Sequence, residues 1–393
     1  MAKKHLRIAQ LHWGFPPIIG GVETHLELLL PQLVKMGHDV SLLTGSAEGC
    51  PEHYDFEGVK IHRTKFLDLN WLYKTSFQEV DDASYVIDEY INETKPDVIH
   101  AHNFHYFSHY HADELEKSAR RKNIPMVLTA HNIWTDRLFL DLTTKISWKK
   151  IIAVSHYIKR ELMAIGVPNK KIVVIHHGID EKKFHPGKYD TKLFKNHPIL
   201  KGKKNIILQP ARMGLTKGCD ISIEAFKLVK KEFPESLLLM SGAKNIIDWG
   251  LTQNKDIAFF ISLAKRLGIE DSIYINAFSR DEMAELFRLA DVIIYPTSAD
   301  EPFGLAMLEA MASAKPIIVT ESGGMPEIIN NDVNGYVIPR RNHEELAKTI
   351  IKLLNDPSLR EKLGQQGRRM VEEHYTKEIY AKNLIKVYEQ VMD

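Results

Sequence analysis

The chain of 393 residues is 44% hydrophobic and 26% charged, a balance typical of a globular protein with a sizeable core. At about 150 residues per domain, this length predicts two or three domains. The net charge of +1 argues against a general nucleic-acid binder, which would carry a basic excess.

Cysteine usage and hydropathy indicate a reducing, aqueous setting. Cys50 and Cys219 are far apart and provide neither a disulfide framework nor a zinc-binding spacing. The first residues lack the apolar core of a signal peptide, and no run reaches the roughly 18 apolar residues of a membrane span. We therefore expect a cytoplasmic protein, and the sequence leaves association with the inner face of a membrane open.

The chain opens with the pattern of a βαβ unit. Residues 6–12 predict a buried strand, a glycine-containing loop follows, and residues 22–36 have the apolar periodicity of a helix. We predict that Pro31 kinks or breaks this helix. Residues 39–44 then predict the second strand.

Short apolar runs continue along the chain in two series, separated by helical or polar stretches, which predicts two parallel sheets covered on both faces. The first series comprises residues 59–62, 98–100, 126–129, 151–154 and 172–175. The second comprises residues 205–209, 237–240, 272–277, 292–295, 316–319 and 336–338.

The boundary between the two series is predicted within residues 182–202, which are rich in Lys, Pro and Gly. Three amphipathic helices are predicted at the end, over residues 343–354, 359–373 and 377–392. Residues 245–255 are predicted to form a loop.

The segment DEPFGLAMLEAMA, residues 300–312, follows the buried run at residues 291–296. Residues 303–314 predict a helix, so Glu301 precedes its start and Glu309 lies inside it. Gly304 would let a ligand approach the free N–H groups of the helix, which favour an anion such as a diphosphate. Glu309 could then accept hydrogen bonds from two ribose hydroxyls. The simpler interpretation is two solvated glutamates that suit the helix dipole.

Two cations follow the first strand of the second series, in PARMGLTKG. Arg212 and Lys217 lie where the carboxyl ends of parallel strands gather ligands, and together they could hold a departing diphosphate. The alternative is two solvated loop cations.

The glycine loop FPPIIGGVET, residues 15–24, would allow close approach of a ligand, although many such loops only make turns. It is not the G-x-G-x-x-G dinucleotide pattern, so hydride transfer is disfavoured.

Histidines are concentrated in IHAHNFHYFSHYH, residues 99–111, and another follows an apolar strand in TAHNIW, residues 129–134. A metal site is disfavoured, because the first group lacks a ligand spacing on a defined element and has no Cys or acidic cluster to complete it. The five histidines concerned are His100, His102, His105, His109 and His111.

The segment from EPFGLAMLEAMA through the Gly323–Gly324 turn resembles the donor-site signature of retaining glycosyltransferases of family 4, in the GT-B superfamily, where two glutamates are likewise separated by seven residues. Arg212, Lys217, PPIIGGVETH, HAHN and His131 also resemble the family's segments. The resemblance implies two Rossmann-like, doubly wound domains that face a central cleft, at residues 1–190 and 200–374. It also implies that the last helix, residues 375–393, returns to the first domain.

The resemblance implies a role for each matching residue. His131 and Glu301 would contact the donor sugar, with Arg212 and Lys217 on the diphosphate. The remaining donor-binding residues would be Gly242, Phe278, Phe303, Gly304, Leu305 and Glu309. The phosphate and acceptor loop would comprise Gly20, Gly21, Glu23, His25 and Asn103. Asn103 and Asn132 replace acids that are common in relatives.

The implied reaction is transfer of a hexose-type sugar from a nucleoside-diphosphate sugar to a hydroxyl acceptor, with retention and without a metal or other cofactor. The alternatives are a GT-B nucleotide-sugar epimerase, a pyridoxal-phosphate-dependent phosphorylase and a non-catalytic sugar-nucleotide-binding protein. The base, the sugar, the acceptor and the oligomeric state are not specified by the sequence.

Overall fold

A computed structural model describes residues 5–74, 83–105, 109–242 and 252–392. The chain forms two compact units, one of Met1–Gly178 with Lys377–Asp393 and the other of Ile179–Thr376. The unit division therefore falls after Gly178, a few residues before the predicted boundary region. The last helix belongs to the N-terminal unit.

The N-terminal unit is built on an eight-stranded sheet of order β3-β4-β2-β1-β5-β6-β7-β8, in which every pairing is parallel except that of β3 with β4. Its strands are β1 (Arg7–Leu11), β2 (Asp39–Gly45), β3 (His53–Phe56), β4 (Val59–Thr64), β5 (Val98–His102), β6 (Met126–Ala130), β7 (Lys150–Ala153) and β8 (Ile172–Val174). Its helices are α1 (Gly21–Lys35), α2 (Leu69–Lys74), α3 (Ala83–Thr94), α4 (Tyr110–Lys122), α5 (Arg137–Thr144), α6 (His156–Ala164) and α14 (Lys377–Met392).

The C-terminal unit has a six-stranded, all-parallel sheet of order β11-β10-β9-β12-β13-β14. Its strands are β9 (Ile206–Gln209), β10 (Leu237–Gly242), β11 (Ile273–Ala277), β12 (Val292–Tyr295), β13 (Ile317–Thr320) and β14 (Gly335–Ile338). Its helices are α7 (Leu193–Asn196), α8 (Cys219–Glu232), α9 (Thr252–Leu267), α10 (Arg280–Leu289), α11 (Leu305–Ala312), α12 (His343–Asn355) and α13 (Pro357–His374). Both sheets confirm the predicted Rossmann-like α/β architecture.

The central strands are buried on both faces, as their continuous apolar runs predict. All five residues of β6 and all four of β12 are buried. Side chains on both faces of such strands must pack against helices, and this requirement gives a parallel sheet its covering layers.

Three local features differ from the predictions or lie partly outside the described residues. The helix α1 runs unbroken from Gly21 to Lys35 with Pro31 inside it, because its leucines are buried in the unit's core and tertiary packing outweighs the cost of proline. The strand β3 adds an antiparallel edge, made by a two-residue turn in which Glu57 and Gly58 both have positive φ. Of the predicted loop at 245–255, residues 245–251 lie outside the described structure, and residues 252–255 belong to α9, which begins at Thr252.

The helix α14 completes the core of the N-terminal unit. Its Tyr380, Leu384 and Tyr388 are buried in one cluster with the apolar residues of α1 and β1. None of the helices in the described ranges is both long and apolar enough to cross a membrane.

Replacing Leu384 with Ala should test this packing. The side chain is fully buried, so we expect the N-terminal unit to lose about 2–5 kcal/mol of unfolding free energy. Urea denaturation followed by tryptophan fluorescence should report it, because Trp13, Trp134 and Trp148 all belong to that unit. Lys386→Ala at an exposed position of α14 is the matched control, and equal stability of the two variants would contradict the packing role.

Candidate active site

Each sheet has a topological switch point, where the chain stops adding strands on one side of its first strand and continues on the other side. In the N-terminal unit β1 lies between β2 and β5, and in the C-terminal unit β9 lies between β10 and β12. In open parallel sheets, ligands bind beyond the carboxyl ends of the strands at such a switch point. Arg212 and Lys217 follow β9, and Glu301 and the start of α11 follow β12, the neighbouring strand at this switch point.

Lys217, Tyr295 and Glu301 form a closed set of contacts at this place. Lys217 Nζ lies 2.7 Å from Glu301 Oε2 and donates to the Tyr295 hydroxyl at 3.2 Å. The Tyr295 hydroxyl in turn donates to Glu301 Oε2 at 2.9 Å. Adjacent strands thus bring together a cation from the loop after β9 and a carboxylate from the loop after β12.

The charge of Lys217 is maintained by its partners. Burial alone would lower the pKa of this ammonium, but Tyr295 and Glu301 outweigh burial and raise the pKa above its ordinary value. Burial raises the pKa of Tyr295, so its hydroxyl keeps its proton and remains a donor to Glu301. The site therefore holds a permanent cation beside a carboxylate that is anchored twice.

Tyr295 is a residue that the sequence analysis missed. It ends the buried run VIIY of β12, and its residue is only 6% exposed. A polar tip at the carboxyl end of a switch-point strand is a signal that could have identified it.

A tight turn fixes the backbone of Glu301. Its N–H donates to Ser322 Oγ at 3.0 Å, and its carbonyl accepts from the Gly324 N–H at 2.9 Å. Gly323 has φ of +52°, and a Cβ there would lie 2.0 Å from the Glu301 carbonyl oxygen. The glycine is therefore required by this close approach.

The helix α11 begins beside Glu301. Gly304 adopts a left-handed conformation at its N-cap, with φ of +86°, and a Cβ at this position would touch Glu301 Cγ at 3.4 Å. Phe303 is buried, whereas Leu305 is half-buried at the first helical position. The Met307 N–H donates to the Gly304 carbonyl at 3.0 Å, whereas the N–H groups of Leu305 and Ala306 have no partner four residues earlier in the helix and provide donors next to the Lys217–Glu301 pair.

Glu309 lies one turn further along α11 and is half-buried. Burial raises the pKa of its carboxyl to about 7, although Arg280 and Lys183 act to lower it. Among the residues that the structure describes, none forms a hydrogen bond or ion pair with this carboxylate. Desolvation of this carboxyl thus outweighs the attraction of the two cations, and a pKa shifted in this way is typical of binding sites.

The other predicted donor-site residues are more dispersed. Arg212 is exposed, and within the described ranges its guanidinium makes no hydrogen bond or ion pair, so the structure does not join it to Glu301. Gly242 ends β10 opposite Ala277 at the end of β11, and the buried Phe278 follows. These positions border the same edge of the sheet as the Lys217–Glu301 pair.

In the N-terminal unit, the glycine loop packs around Glu23, which is buried and lies 2.9 Å from His12 Nε2 through its Oε1. A Cβ on Gly20 would come within 2.1 Å of the Glu23 carboxylate, so that glycine serves an internal contact. Gly21 has open space above it, since a Cβ there would meet no described atom within 4 Å. Of the two glycines, only Gly21 faces space that a ligand could occupy.

Asn103 and His131 are brought together at the carboxyl ends of β5 and β6. Asn103 has φ of +46°, and its Oδ1 accepts from the His131 N–H at 2.8 Å. The His131 ring is buried, with Nε2 2.9 Å from His102 Nδ1 and Nδ1 3.3 Å from His177 Nε2. His25 is buried nearby, its ring 4.2 Å from that of His177.

The five histidines of residues 99–111 do not converge on one point. His100 and His102 lie in the core, whereas His105 packs on Trp134. His109 faces Asp141 at 3.6 Å, and His111 Nε2 donates to the Phe66 carbonyl. His100 and His102 contact each other, with ring centroids 4.2 Å apart, and the other three lie in separate environments. The absence of a metal stays a prediction.

Two protein-family models match the chain: Glycosyl transferases group 1 over residues 190–370, and Glycosyltransferase Family 4 over residues 19–183. An uncharacterized glycosyltransferase of Methanocaldococcus jannaschii is 27% identical over 411 residues, 99% of each chain. N-acetyl-alpha-D-glucosaminyl L-malate synthase of Bacillus anthracis is 29% identical over 243 residues, 62% of this chain and 60% of that protein.

Solved structures agree on the fold. A glycosyltransferase from Rickettsia africae superposes with a TM-score of 0.81 at 23% identity, over 98% of both chains. Anabaena HepE in complex with UDP-glucose superposes with a TM-score of 0.77 at 17% identity, over 98% of this chain and 100% of that one. The chain therefore has the GT-B fold of these glycosyltransferases, and the two family models that match it, over residues 19–183 and 190–370, both describe glycosyltransferases.

Replacing Glu309 with Gln should change the pH dependence of stability. The folded state binds this proton more tightly than the unfolded chain, so the carboxyl's burial destabilises the fold progressively as pH rises from about 4.5 through about 7. We expect the variant to exceed the parent by less than about 1 kcal/mol near pH 5 and by up to about 3 kcal/mol near pH 8.

Thermal denaturation between pH 5 and pH 8 provides this measurement. Glu344→Gln, at an exposed position of the same unit, is the matched control and should show no such trend. A stability gain for Glu309→Gln that is equal at both pH values would contradict the assignment.

Proposed function

We propose that this protein is a retaining glycosyltransferase that moves a hexose-type sugar from a nucleoside-diphosphate sugar to a hydroxyl acceptor without a metal. The observation that carries the proposal is the Lys217–Glu301 pair beside the N-terminus of α11 at the switch point of the C-terminal sheet. A fixed cation and free helix N–H groups suit a diphosphate, and a flanking carboxylate suits sugar hydroxyls.

The relatives support a nucleotide-sugar donor. The Anabaena homologue was crystallised with UDP-glucose, and the Bacillus relative is named for transfer of an N-acetylglucosaminyl group to malate. Both matched family models describe transferases, so the epimerase alternative is not favoured. The acceptor class stays open among saccharides, lipid-linked acceptors and small molecules.

The proposed chemistry begins with departure of the diphosphate. Negative charge develops on that group as the sugar becomes oxocarbenium-like, and cations fixed in advance stabilise the charge without reorganisation. Lys217 Nζ would move from Glu301 Oε2 to a phosphate oxygen, while the Tyr295 hydroxyl keeps hold of the Glu301 carboxylate. The exposed side chain of Arg212 would supply a second cation.

Carboxylates would orient the two ends of the donor. Glu301 would accept hydrogen bonds from sugar hydroxyls, and Glu309, which has no protein partner among the described residues, would accept from the ribose hydroxyls. The acceptor hydroxyl would attack on the face that the diphosphate leaves and give its proton to a phosphate oxygen, which retains the anomeric configuration. The fixed cations would take the place of a metal.

Replacing Lys217 with Ala should remove the main preformed cation. A thermal-shift panel of nucleotide sugars first identifies the donor, and release of its nucleoside diphosphate then reports turnover. We expect kcat to fall by about 30- to 1,000-fold, the scale of one lost transition-state donor. Lys265→Ala, at an exposed position of α9, is the matched control. Near-normal turnover by a folded Lys217→Ala variant would refute the proposal.

A further inference from the structure

The core of the N-terminal unit contains a continuous chain of hydrogen-bonded polar side chains. It links Gln10 on β1 to Tyr388 on α14, and it also links Gln10 through His102 and His131 to His177. All five side chains are buried. Since every member is shielded from water, the direction of each hydrogen bond is set by the neighbouring groups rather than by solvent.

Gln10 sets the direction of the histidine branch. Its Oε1 lies 2.8 Å from His102 Nε2 and can only accept, so His102 carries its proton on Nε2. At the other end of the same amide, Nε2 donates to the Tyr388 hydroxyl at 3.0 Å, so both ends of the Gln10 amide are hydrogen-bonded in this orientation.

The second branch is consistent with that orientation. Because the Tyr388 oxygen accepts from Gln10, its own proton goes to His100 Nδ1, at 2.6 Å. His100 is then protonated on Nε2, which donates to Thr129 Oγ1 at 2.7 Å. Every ring nitrogen of this branch therefore has a partner of the correct polarity.

The proton position passes from His102 along the chain. A neutral His102 protonated on Nε2 has a lone pair on Nδ1, so His131 must donate from Nε2 across the 2.9 Å contact. His131 then has a lone pair on Nδ1, which accepts from His177 Nε2 at 3.3 Å. Burial supports neutral rings, since it lowers the pKa of all three histidines well below the ordinary value.

We propose that Gln10 is a positioning residue that fixes His131 as the Nε2–H tautomer and leaves its Nδ1 as a hydrogen-bond acceptor. The contact of His131 Nδ1 with His177 is the longest hydrogen bond of this side-chain network. A substrate hydroxyl that donates to Nδ1 can therefore replace it at the least cost. The functional consequence, that His131 accepts a hydrogen bond from a substrate hydroxyl, rests on the proposed function. The tautomer itself does not.

Long-range proton–nitrogen NMR on protein labelled with ¹⁵N-histidine tests the tautomer directly. The His131 signals are assigned by their loss in His131→Gln. In the parent protein we expect His102 and His131 both to be protonated on Nε2. A His131 proton on Nδ1 would overturn the proposal, because it requires the opposite orientation of the Gln10 amide.

Two substitutions of similar size separate the hydrogen-bonding role of Gln10 from packing. Gln10→Leu removes the acceptor, so we expect His131 to populate both tautomers. Gln10→Glu keeps an acceptor oxygen toward His102, so we expect the Nε2–H form to persist. Gln390→Leu, at an exposed position of α14, is the control. A pure Nε2–H form of His131 in Gln10→Leu would show that Gln10 does not fix the tautomer.

Kinetics provide the functional readout. We expect Gln10→Leu to lower kcat/KM for the donor about tenfold, the scale of one hydrogen bond, and Gln390→Leu to leave it unchanged. Unaltered kcat/KM in Gln10→Leu alongside mixed tautomers would overturn the substrate contact and leave the tautomer assignment standing. Lack of turnover by the parent with every donor would instead refute the proposed function, and the NMR result would be unaffected.

Discussion

A half-buried ammonium needs a partner, and this requirement organises the candidate site of the C-terminal unit. Removing Lys217 from water is unfavourable by itself, and its contacts with Glu301 and Tyr295 reverse the effect. The partners can meet because β9 and β12 are neighbours in the sheet although 82 residues separate Gln209 from Val292 in the sequence. The parallel sheet thus converts two distant loops into one charged pair.

The arrangement also explains why a ligand of matching charge is expected there. If Lys217 leaves Glu301, an anion that contacts the lysine can replace the carboxylate as its counter-charge. The Tyr295 hydroxyl continues to donate to the Glu301 carboxylate. Glu301 itself is fixed through its backbone by Ser322 and Gly324, so an exchange of partners by the lysine leaves the carboxylate in place. Glu301 is therefore held in place before a ligand binds, whereas Lys217 can exchange its partner.

The fold was predicted well from the sequence because the same signal, a short apolar run for each buried strand, recurs along the chain. Buried strands produce apolar runs that bounded nearly every strand to within about two residues. The antiparallel β3 was missed because its turn, Glu57–Gly58, lacks the usual Asn-Gly or Asp-Gly pair, and Pro31 was misjudged because tertiary packing is not visible in a local pattern.

The site was predicted unevenly. Glu301, Glu309 and Lys217 were identified through spacing and resemblance, and the structure places Lys217 and Glu301 in contact. Tyr295 and Gln10 were not identified, because each contacts a partner that is distant in sequence, Lys217 for Tyr295 and His102 for Gln10. The internal role of Gly20, which accommodates Glu23, likewise depends on a packing distance that no motif records.

The central claim is that Lys217 exchanges Glu301 for the donor's diphosphate. A crystal structure with the nucleoside diphosphate of the preferred donor measures this directly. We expect a phosphate oxygen within hydrogen-bonding distance of both Lys217 Nζ and a backbone N–H of residues 303–305, with the Tyr295–Glu301 hydrogen bond retained. A diphosphate bound elsewhere, with Lys217 still paired to Glu301, would contradict it.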